Sequence, residues 1–292
     1  MTGLSRLEEF PRISIITPCF NSGAYLEETI LSVLEQNYPN LEYIIIDGGS
    51  SDNTLNIVKK YEKKLTYWES EKDNGMYDAI QKGFCKSTGE ILAWINADDI
   101  YHKKAFFIIS EIFENYQNIN WVVGAAGFWD ESGRGVHVGA SKRFTRYDFL
   151  MGDYKFIPQE SCFFRRSLYK TAGSCMNTAL RYAGDFELWL RFFRHDELYV
   201  VDALIAGYRV RTENQLSLEG MPRYIEEAQS ILASEVLSKS EKRKIMRYKM
   251  FYNSLNRLSK FLVRVLNKYR RIEFGKTKDI KFDRMTQRYK LI

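Results

Sequence analysis

The sequence holds few cysteines, histidines and prolines, and it has no long apolar run. Its 292 residues include 4 Cys, 3 His and 5 Pro. No two cysteines are spaced as C-x-x-C and no histidine cluster accompanies them, which argues against a zinc site. Sparse cysteines are typical of a reducing compartment, where we expect free, buried thiols. Because no stretch of about 20 residues is apolar, we expect no membrane-spanning helix. The polar first residues predict no signal peptide.

Charge is distributed unevenly along the chain. The formal net charge is +6, yet residues 241–292 hold 17 Lys and Arg against 4 Asp and Glu. The first 240 residues therefore hold 26 basic and 33 acidic side chains. A basic tail on an acidic body predicts an anionic partner for the tail: a membrane surface, a nucleic acid or a phosphorylated lipid.

Short apolar runs alternate with segments of helical periodicity from residue 13 to residue 129, which predicts an α/β fold with a mostly parallel central sheet flanked by helices. The predicted strands cover residues 13–17, 41–46, 65–68, 90–95 and 121–129. The predicted helices cover residues 25–36, 52–61, 75–85, 103–116 and 185–193. Residues 130–154 are predicted as loop and edge structure, residues 199–210 as a closing strand pair, and the chain from residue 222 as mostly helical.

Polar side chains follow three of the predicted strands. Thr17, Pro18 and Asn21 follow the first, Asp47 begins a Gly- and Ser-rich turn after the second, and Asn96-Ala97-Asp98-Asp99 follows the fourth. Ligands bind beyond the carboxyl ends of the strands in open parallel sheets. The three strand ends therefore predict one acidic crevice.

Two adjacent carboxylates after a buried strand are costly unless a cation neutralises them. Asp98 and Asp99 therefore favour a magnesium or manganese site that bridges a diphosphate. The alternative is that they cap the helix that follows, although a cap needs only one aspartate.

The turn after the second strand has no established fingerprint. It reads DGGSSD over residues 47–52 and is neither G-x-G-x-x-G nor a P-loop, which disfavours a nicotinamide enzyme or a P-loop ATPase. The Asp47 carboxylate could accept bonds from a base or a ribose, and an ordinary strand-to-helix turn is the alternative.

Asp185 begins an aromatic-rich helix. A carboxylate at a helix N-terminus interacts with the helix dipole, which predicts a lowered pKa and an ionised base. A simple N-cap is the alternative. Tyr208-Arg209-Val210-Arg211 could contact a diphosphate or balance the acidic body.

Taken together, five strings resemble family 2 glycosyltransferases of the GT-A fold, in the bacterial branch that builds O-antigen, capsule and exopolysaccharide. They are IITPCFN at 15–21, IDGGSSDNT at 46–54, DNGMYDA at 73–79, WINADD at 94–99 and GDFELWLR at 184–191. The resemblance covers about residues 11–217 and depends on the strings occurring together and in this order.

The resemblance implies an inverting, metal-dependent transfer of one sugar from a nucleotide-diphosphate sugar, most often UDP-linked. It implies a base pocket at Thr17 and Pro18, a base contact at Asp47, a ribose and sugar contact at Asp98, a metal ligand at Asp99 and a general base at Asp185. It also implies donor contacts at Asn21, Asp73 and Tyr77. Two departures are Asn96, where many members have an acid, and Gln81, where many have Asn. The Mn²⁺ or Mg²⁺ ion would then rest mainly on Asp99, the diphosphate and water.

Acceptor contacts are expected after the metal strand, from Gln159, Glu160 and Trp189, with Trp129 and Tyr154 as stacking faces. The acceptor implied is a glycan or lipid-linked glycan, and no nucleic acid is expected. The Q-x-x-R-W string of processive synthases is absent.

The basic tail carries apolar residues at helical spacing: Ile245, Tyr248, Phe251, Tyr252, Leu255, Leu258, Leu262 and Leu266. One interpretation is a helix packed on the body or in a homodimer. The other is docking to an anionic membrane. The expected localisation is cytoplasmic, and the second interpretation adds a peripheral position on the inner face of the cytoplasmic membrane.

The expected organisation is a GT-A domain over residues 1–220, with a nucleotide-sugar half at about 11–128 and an acceptor half at about 129–217, followed by a basic extension over 221–292. Two other functions are weighed: a nucleotidyltransferase that makes a sugar nucleotide, and a non-catalytic nucleotide-sugar scaffold. The first usually has a basic Gly-rich loop after the first strand, and residues 17–23 contain no basic residue.

Overall fold

The predicted apolar runs form strands close to their expected bounds. The computed structural model describes residues 10–139, 144–152, 156–212, 220–255 and 278–292. Within them the strands are β1 Ile13–Cys19, β2 Leu41–Asp47, β3 Tyr67–Ser70, β4 Ile91–Trp94, β5 Ile100–Tyr101, β6 Trp121–Trp129, β7 Gly135–Val138, β8 Cys162–Arg165, β9 Tyr199–Arg209, β10 Lys278–Asp283 and β11 Arg288–Leu291.

The helices alternate with these strands in the first half of the chain. They are α1 Leu26–Leu34, α2 Thr54–Tyr61, α3 Met76–Lys86, α4 Ala105–Asn115, α5 Arg146–Leu150, α6 Arg166–Thr171, α7 Gly184–Phe192, α8 Met221–Ser234 and α9 Lys239–Leu255. Short 3-10 helices cover Glu62–Lys64 and Gln159–Ser161. None of the described helices is long and apolar enough to cross a membrane.

The strands form one mixed sheet in the order β11-β10-β9-β6-β8-β4-β1-β2-β3, with β5 beside β9 and β7 beside β6. The half made of β4, β1, β2 and β3 is parallel, as expected. The expected α/β sheet is confirmed, and beyond this half it is mixed: β6, β9 and β10 are parallel to one another, whereas β8 lies antiparallel between β4 and β6. A buried apolar run does not encode strand direction, so this insertion has no signal in the sequence.

Buried side chains cover both faces of the sheet. On β1, Ile15 packs with α1 and α4, and Ile16 packs with α3 and α7, as the alternation of a strand requires. Gly83 lets α3 approach β1, because a Cβ at this glycine would lie 2.5 Å from Ile16 Cγ2. The chain is therefore layered as helix, sheet and helix.

Three further expectations need correction. Residues 199–209 form one strand, not a strand pair. The segment expected as loop contains α5, which begins with a capping box between Thr145 and Asp148. The chain beyond residue 222 contains α8 and α9, but β10 and β11 form a hairpin that joins the sheet at β9.

The cysteines also differ from the expectation. All four thiols are free, but only Cys19 and Cys162 are buried, whereas Cys85 and Cys175 are exposed.

Candidate active site

The turn after β2 is organised around the Asp47 carboxylate. Asp47 is fully buried and accepts hydrogen bonds from the backbone N–H groups of Gly49 and Ser50 at 3.2 and 2.9 Å, and from the hydroxyls of Ser50 and Ser70. Asn21, with a left-handed φ of 48°, accepts a bond from Ser51 N–H at 2.9 Å. The strand ends of β1 and β2 are thereby bound together. The donor-binding roles of Asp47 and Asn21 stay predictions.

Thr17 and Pro18 lie at the end of β1 and are buried. The Thr17 hydroxyl lies 3.1 Å from the Tyr43 hydroxyl in the hydrophobic core. Their place beside Asp47 follows from the register, which pairs Pro18 with Ile46 and Cys19 with Asp47. Their role in a base pocket stays a prediction.

Asp73 lies against the same turn. Its carboxylate accepts a bond from Gly75 N–H at 2.9 Å, and a Cβ added to Gly48 would lie 2.9 Å from its Oδ2. Burial raises the pKa of Asp73, and the negative charge of Asp47 contributes to the rise. The second and third resemblance strings therefore meet through a glycine that permits the approach.

Asp98 and Asp99 follow β4 with different surroundings. Asp98 is partly exposed and forms an ion pair with Arg211 at 3.1 Å. Asp99 is 1% exposed, and its Oδ1 accepts a bond from Arg209 N–H at 3.0 Å. Burial raises the pKa of Asp99 well above its ordinary value, and the negative charges of Asp98 and Glu160 raise it further. A cation placed beside Asp99 would relieve this repulsion.

The donor atoms at Asp99 suit a hard divalent ion. Asn96 Nδ2 donates to Asp99 Oδ2 at 3.1 Å, and the buried Oδ1 of Asn96 has no hydrogen-bond partner among the described residues. Carboxylate and amide oxygens are ligands of Mg²⁺ and Mn²⁺. The described residues contain no group of three His, Cys, Asp or Glu side chains placed to hold a metal alone. An ion here would need the diphosphate or water as further ligands, and Asn96 Oδ1 is a candidate that the sequence interpretation set aside.

Arg209 is the buried centre of this region. Its Nε donates to the Asp98 carbonyl at 2.8 Å and its Nη1 to the Glu131 carbonyl at 2.9 Å, while its Nη2 pairs with Glu28 at 2.5 Å. Its guanidinium also lies over the Tyr25 ring, 4.9 Å from the centroid. The sequence left two roles open for this arginine, contact with a diphosphate or balance of the acidic body. The structure favours an internal role, because Arg209 binds the loop that contains Asp98 and the turn that contains Glu131. No sequence pattern predicted Glu28 or Tyr25 as partners of Arg209.

Asp185 lies in the first turn of α7 and contacts the third resemblance string. Its Oδ1 accepts bonds from Phe186 N–H at 2.8 Å and from the Tyr77 hydroxyl at 3.3 Å. A Cβ at Gly184 would lie 2.7 Å from the Tyr77 ring, so glycine is needed for this contact. Burial raises the pKa of Asp185 to about 6, although both hydrogen bonds lower it. The lowered pKa expected from the helix dipole is wrong, because desolvation outweighs it.

Gln159 contacts the end of β4, and Glu160 lies near both Asp99 and Asp185. Gln159 Nε2 donates to the Trp94 carbonyl at the end of β4, at 2.7 Å. Glu160 is 6% exposed, and burial raises its pKa to about 7, with a further contribution from the charge of Asp185. Glu160 thus lies within electrostatic reach of Asp99 and Asp185, and the acceptor roles of both residues stay predictions.

Three other candidates fall elsewhere. Trp189 is 1% exposed and stacks between Trp94 and Trp121, with ring centroids 5.3 and 5.2 Å apart, so it is a core residue with no ring face for an acceptor. Gln81 accepts bonds from the Tyr169 hydroxyl and from Met176 N–H. Tyr154 lies outside the described residues.

Known proteins match this chain in sequence and in fold. An uncharacterized glycosyltransferase of Rickettsia typhi is 26% identical over 213 residues, which are 68% of this chain and 64% of that relative. The chain thus spans less than two thirds of the relative's length. S. aureus TarS, residues 1–349 in complex with UDP-GlcNAc, superposes with a TM-score of 0.63 at 19% identity over 86% of this chain and 74% of that TarS 1–349 chain.

A second solved structure has the same fold. The mannosyltransferase PcManGT from Pyrobaculum calidifontis, in complex with GDP-Man and Mn²⁺, superposes with a TM-score of 0.60 at 15% identity over 91% of this chain and 81% of that enzyme. The family model described as Glycosyl transferase family 2 matches residues 14–173, which is more than half of the chain. The chain therefore belongs to glycosyltransferase family 2, and its mixed sheet with carboxylates at the strand ends has the GT-A fold.

Proposed function

We propose that this protein is an inverting glycosyltransferase that moves one sugar from a nucleotide-diphosphate sugar, a UDP-sugar, to a hydroxyl of a glycan or lipid-linked glycan in surface polysaccharide synthesis. One observation carries the proposal: Tyr77, in a donor string, contacts Asp185, 108 residues further along the chain. Glu160 lies within electrostatic reach of both Asp99 and Asp185, which supports placing the donor and base residues in one crevice. TarS with UDP-GlcNAc and PcManGT with GDP-Man support the donor class.

Asp185 acts as the general base in this proposal. Its pKa of about 6 leaves it mostly ionised at neutral pH while keeping it basic enough to accept a proton, which is the compromise a general base needs. Phe186 N–H orients one carboxylate oxygen, and the Tyr77 hydroxyl, which also donates to the Tyr182 carbonyl at 3.0 Å, lies 3.3 Å from the same oxygen. The other oxygen would take the proton of the acceptor hydroxyl as that hydroxyl attacks the anomeric carbon from the face opposite the leaving group.

Asp99 and Asn96 would hold a Mn²⁺ or Mg²⁺ ion, which when bound stabilises the leaving nucleoside diphosphate as a Lewis acid. PcManGT with Mn²⁺ supports this choice of metal. Arg209 keeps the metal-side loop in place, because its backbone and side chain bind Asp99 and the Asp98 carbonyl.

Release of UDP from a UDP-sugar tests the proposal. The wild-type chain is expected to release UDP when Mn²⁺ is present, and Asp99→Ala is expected to lose this release by about 100-fold or more. Asp196→Ala, far along the chain from the metal loop, is the control. The scaffold alternative predicts binding without release, and the nucleotidyltransferase alternative predicts sugar-nucleotide formation from a sugar phosphate and UTP. Either result would refute the proposed function.

We further propose that the protein lies in the cytoplasm and docks peripherally on an anionic membrane through α9. Ile245, from the expected apolar stripe, is 7% exposed and packs inward, whereas Met246 and Met250 are 63% and 66% exposed. Exposed basic residues surround them: Lys242, Arg243, Arg247 and Lys249. Apolar groups among cations suit an anionic bilayer surface. We also propose a GT-A domain over residues 1–220 and an extension over 221–292, whose hairpin of β10 and β11 joins the sheet of that domain at β9.

Vesicle flotation tests the membrane proposal. The full-length chain is expected to float with phosphatidylglycerol vesicles and not with phosphatidylcholine vesicles. Replacing Met246 and Met250 by Glu should abolish flotation. Val138→Glu, at an exposed position on β7, should leave it unchanged. A dimer in place of membrane binding would show as a larger mass in solution and no flotation.

A further inference from the structure

Trp129, at the end of β6, has an unusual support. The register pairs Gly127 of β6 with Gly207 of β9, and a Cβ at either glycine would overlap the Trp129 indole. The ring therefore packs directly on bare backbone. Two paired glycines leave a depression that an indole fills, and any larger residue at Gly207 would displace the ring.

The ring lies close to the metal loop. Gly207, beneath the indole, pairs with Gly127 on one side and with Ile100 of β5 on the other. Ile100 directly follows Asp99. Since neighbouring strands are about 4.8 Å apart, the backbone of Gly207 lies about 5 Å from that of Ile100, the residue next to Asp99. The backbone N–H of Arg209, the register partner of Trp129, binds Asp99 Oδ1 at 3.0 Å, which couples the two positions.

Trp129 also differs in exposure from the core tryptophans. Trp94, Trp121 and Trp189 are at most 1% exposed and stack on one another. Trp129 is only half-buried, although its support is rigid. A rigid, partly exposed indole beside a polar site has the chemistry that binds the C–H face of a sugar ring.

We propose that Trp129 is the stacking platform for a pyranose ring of the acceptor, held in place by Gly127 and Gly207. This proposal rests on the proposed function, which makes the sugar bound by Trp129 the acceptor. Asp99 follows β4, and Trp129 ends β6, which lies two strands further from β1 than β4 does, with β8 between them. A sugar on the indole would lie at the same edge of the sheet as Asp99, because β6 and β4 both run antiparallel to β8 and end at that edge, and the uncharged ring face favours a neutral sugar. The ligand class is therefore a neutral hexopyranoside.

Saturation-transfer NMR on the full chain with Mn²⁺ and UDP tests the platform. The probes are the methyl glycosides of glucose, galactose, mannose and N-acetylglucosamine. At least one is expected to bind wild-type protein with saturation of the C–H protons on one ring face. Trp129→Ala should weaken this binding by about tenfold or more. Trp129→Phe, which keeps a smaller ring, should weaken it several-fold and covers the case in which the alanine variant unfolds.

Gly207→Ala is the sharper variant, because it leaves every aromatic side chain intact but displaces the indole. It should weaken glycoside binding as much as Trp129→Ala does. Phe128→Ala is the matched control, since this neighbouring ring contacts His137 and Tyr208 instead. Wild-type protein that binds no glycoside, or Trp129→Ala protein that binds like wild type, overturns the platform. UDP binding is read separately by thermal shift. If the wild-type protein binds no UDP, the proposed function is overturned. Glycoside binding that depends on Trp129 would still support the platform.

Discussion

Replacing Asp185 by asparagine is expected to stop sugar transfer and, at neutral pH, to stabilise the fold. Burial raises the pKa of this carboxyl from 3.8 to about 6. An asparagine amide oxygen can accept the same bonds from Phe186 N–H and the Tyr77 hydroxyl, at 2.8 and 3.3 Å in the wild type, but it carries no charge. Asp185→Asn therefore removes the cost of a buried charge together with the base.

The size of the gain follows from the two pKa values. Their difference corresponds to about 3 kcal/mol, since one pKa unit is about 1.4 kcal/mol. Because the side chain keeps some contact with solvent, we expect a gain of about 1 to 3 kcal/mol. The folded-state pKa lies above the unfolded one, so the wild type has its full stability below about pH 4 and loses this part as pH rises through 6. The variant should then gain little at pH 4 and the full amount at pH 7.5.

Urea unfolding followed by circular dichroism at these two pH values measures the effect. At neutral pH the melting temperature should rise by about 2 to 10 °C. Glu226→Gln, at an exposed position of α8, is the control and should change the free energy of unfolding by less than about 0.5 kcal/mol. A variant that is less stable than wild type at pH 7.5, or equally stabilised at both pH values, would refute the argument that desolvation dominates at Asp185.

Three further predictions follow from the same contacts. The kcat/KM of transfer should rise with pH around a midpoint near 6 and level off above 7, because Asp185 must be ionised to act as a base; a profile flat from pH 5 to pH 8 would exclude this role. Arg209→Met should lower the free energy of unfolding by about 3 kcal/mol or more, because it leaves Glu28 and the carbonyls of Asp98 and Glu131 without their donor. A loss below about 1 kcal/mol would contradict this internal role of Arg209. Gly83→Ala should lower the melting temperature, since its Cβ would lie 2.5 Å from Ile16, whereas Gly135→Ala has open space and should change little; equal effects would contradict this packing.

Local pattern predicted the strands and helices of the first half of the chain well. The strand expected over 121–129 is β6, Asp47 is the last residue of β2, and Asp98 follows β4 as expected. Apolar periodicity is a local property, so it specifies where a strand or helix lies but not which strand it pairs with. It failed where distant segments pair: the antiparallel insertion of β8, and the hairpin of β10 and β11 beside β9. Those pairings depend on contacts between segments that are far apart in the chain.

The sequence by itself determined that acidic residues would gather at the carboxyl edge of a sheet, because the alternation of strands and helices sets which residues follow each strand. Only the tertiary structure decided which of them meet. Tyr77 reaches Asp185, Arg209 binds around Asp98 and Asp99, and Trp189 is enclosed in the core. Burial also reversed the expected direction of the Asp185 pKa. Desolvation and long-range contacts depend on distances across the folded chain, which no local pattern contains.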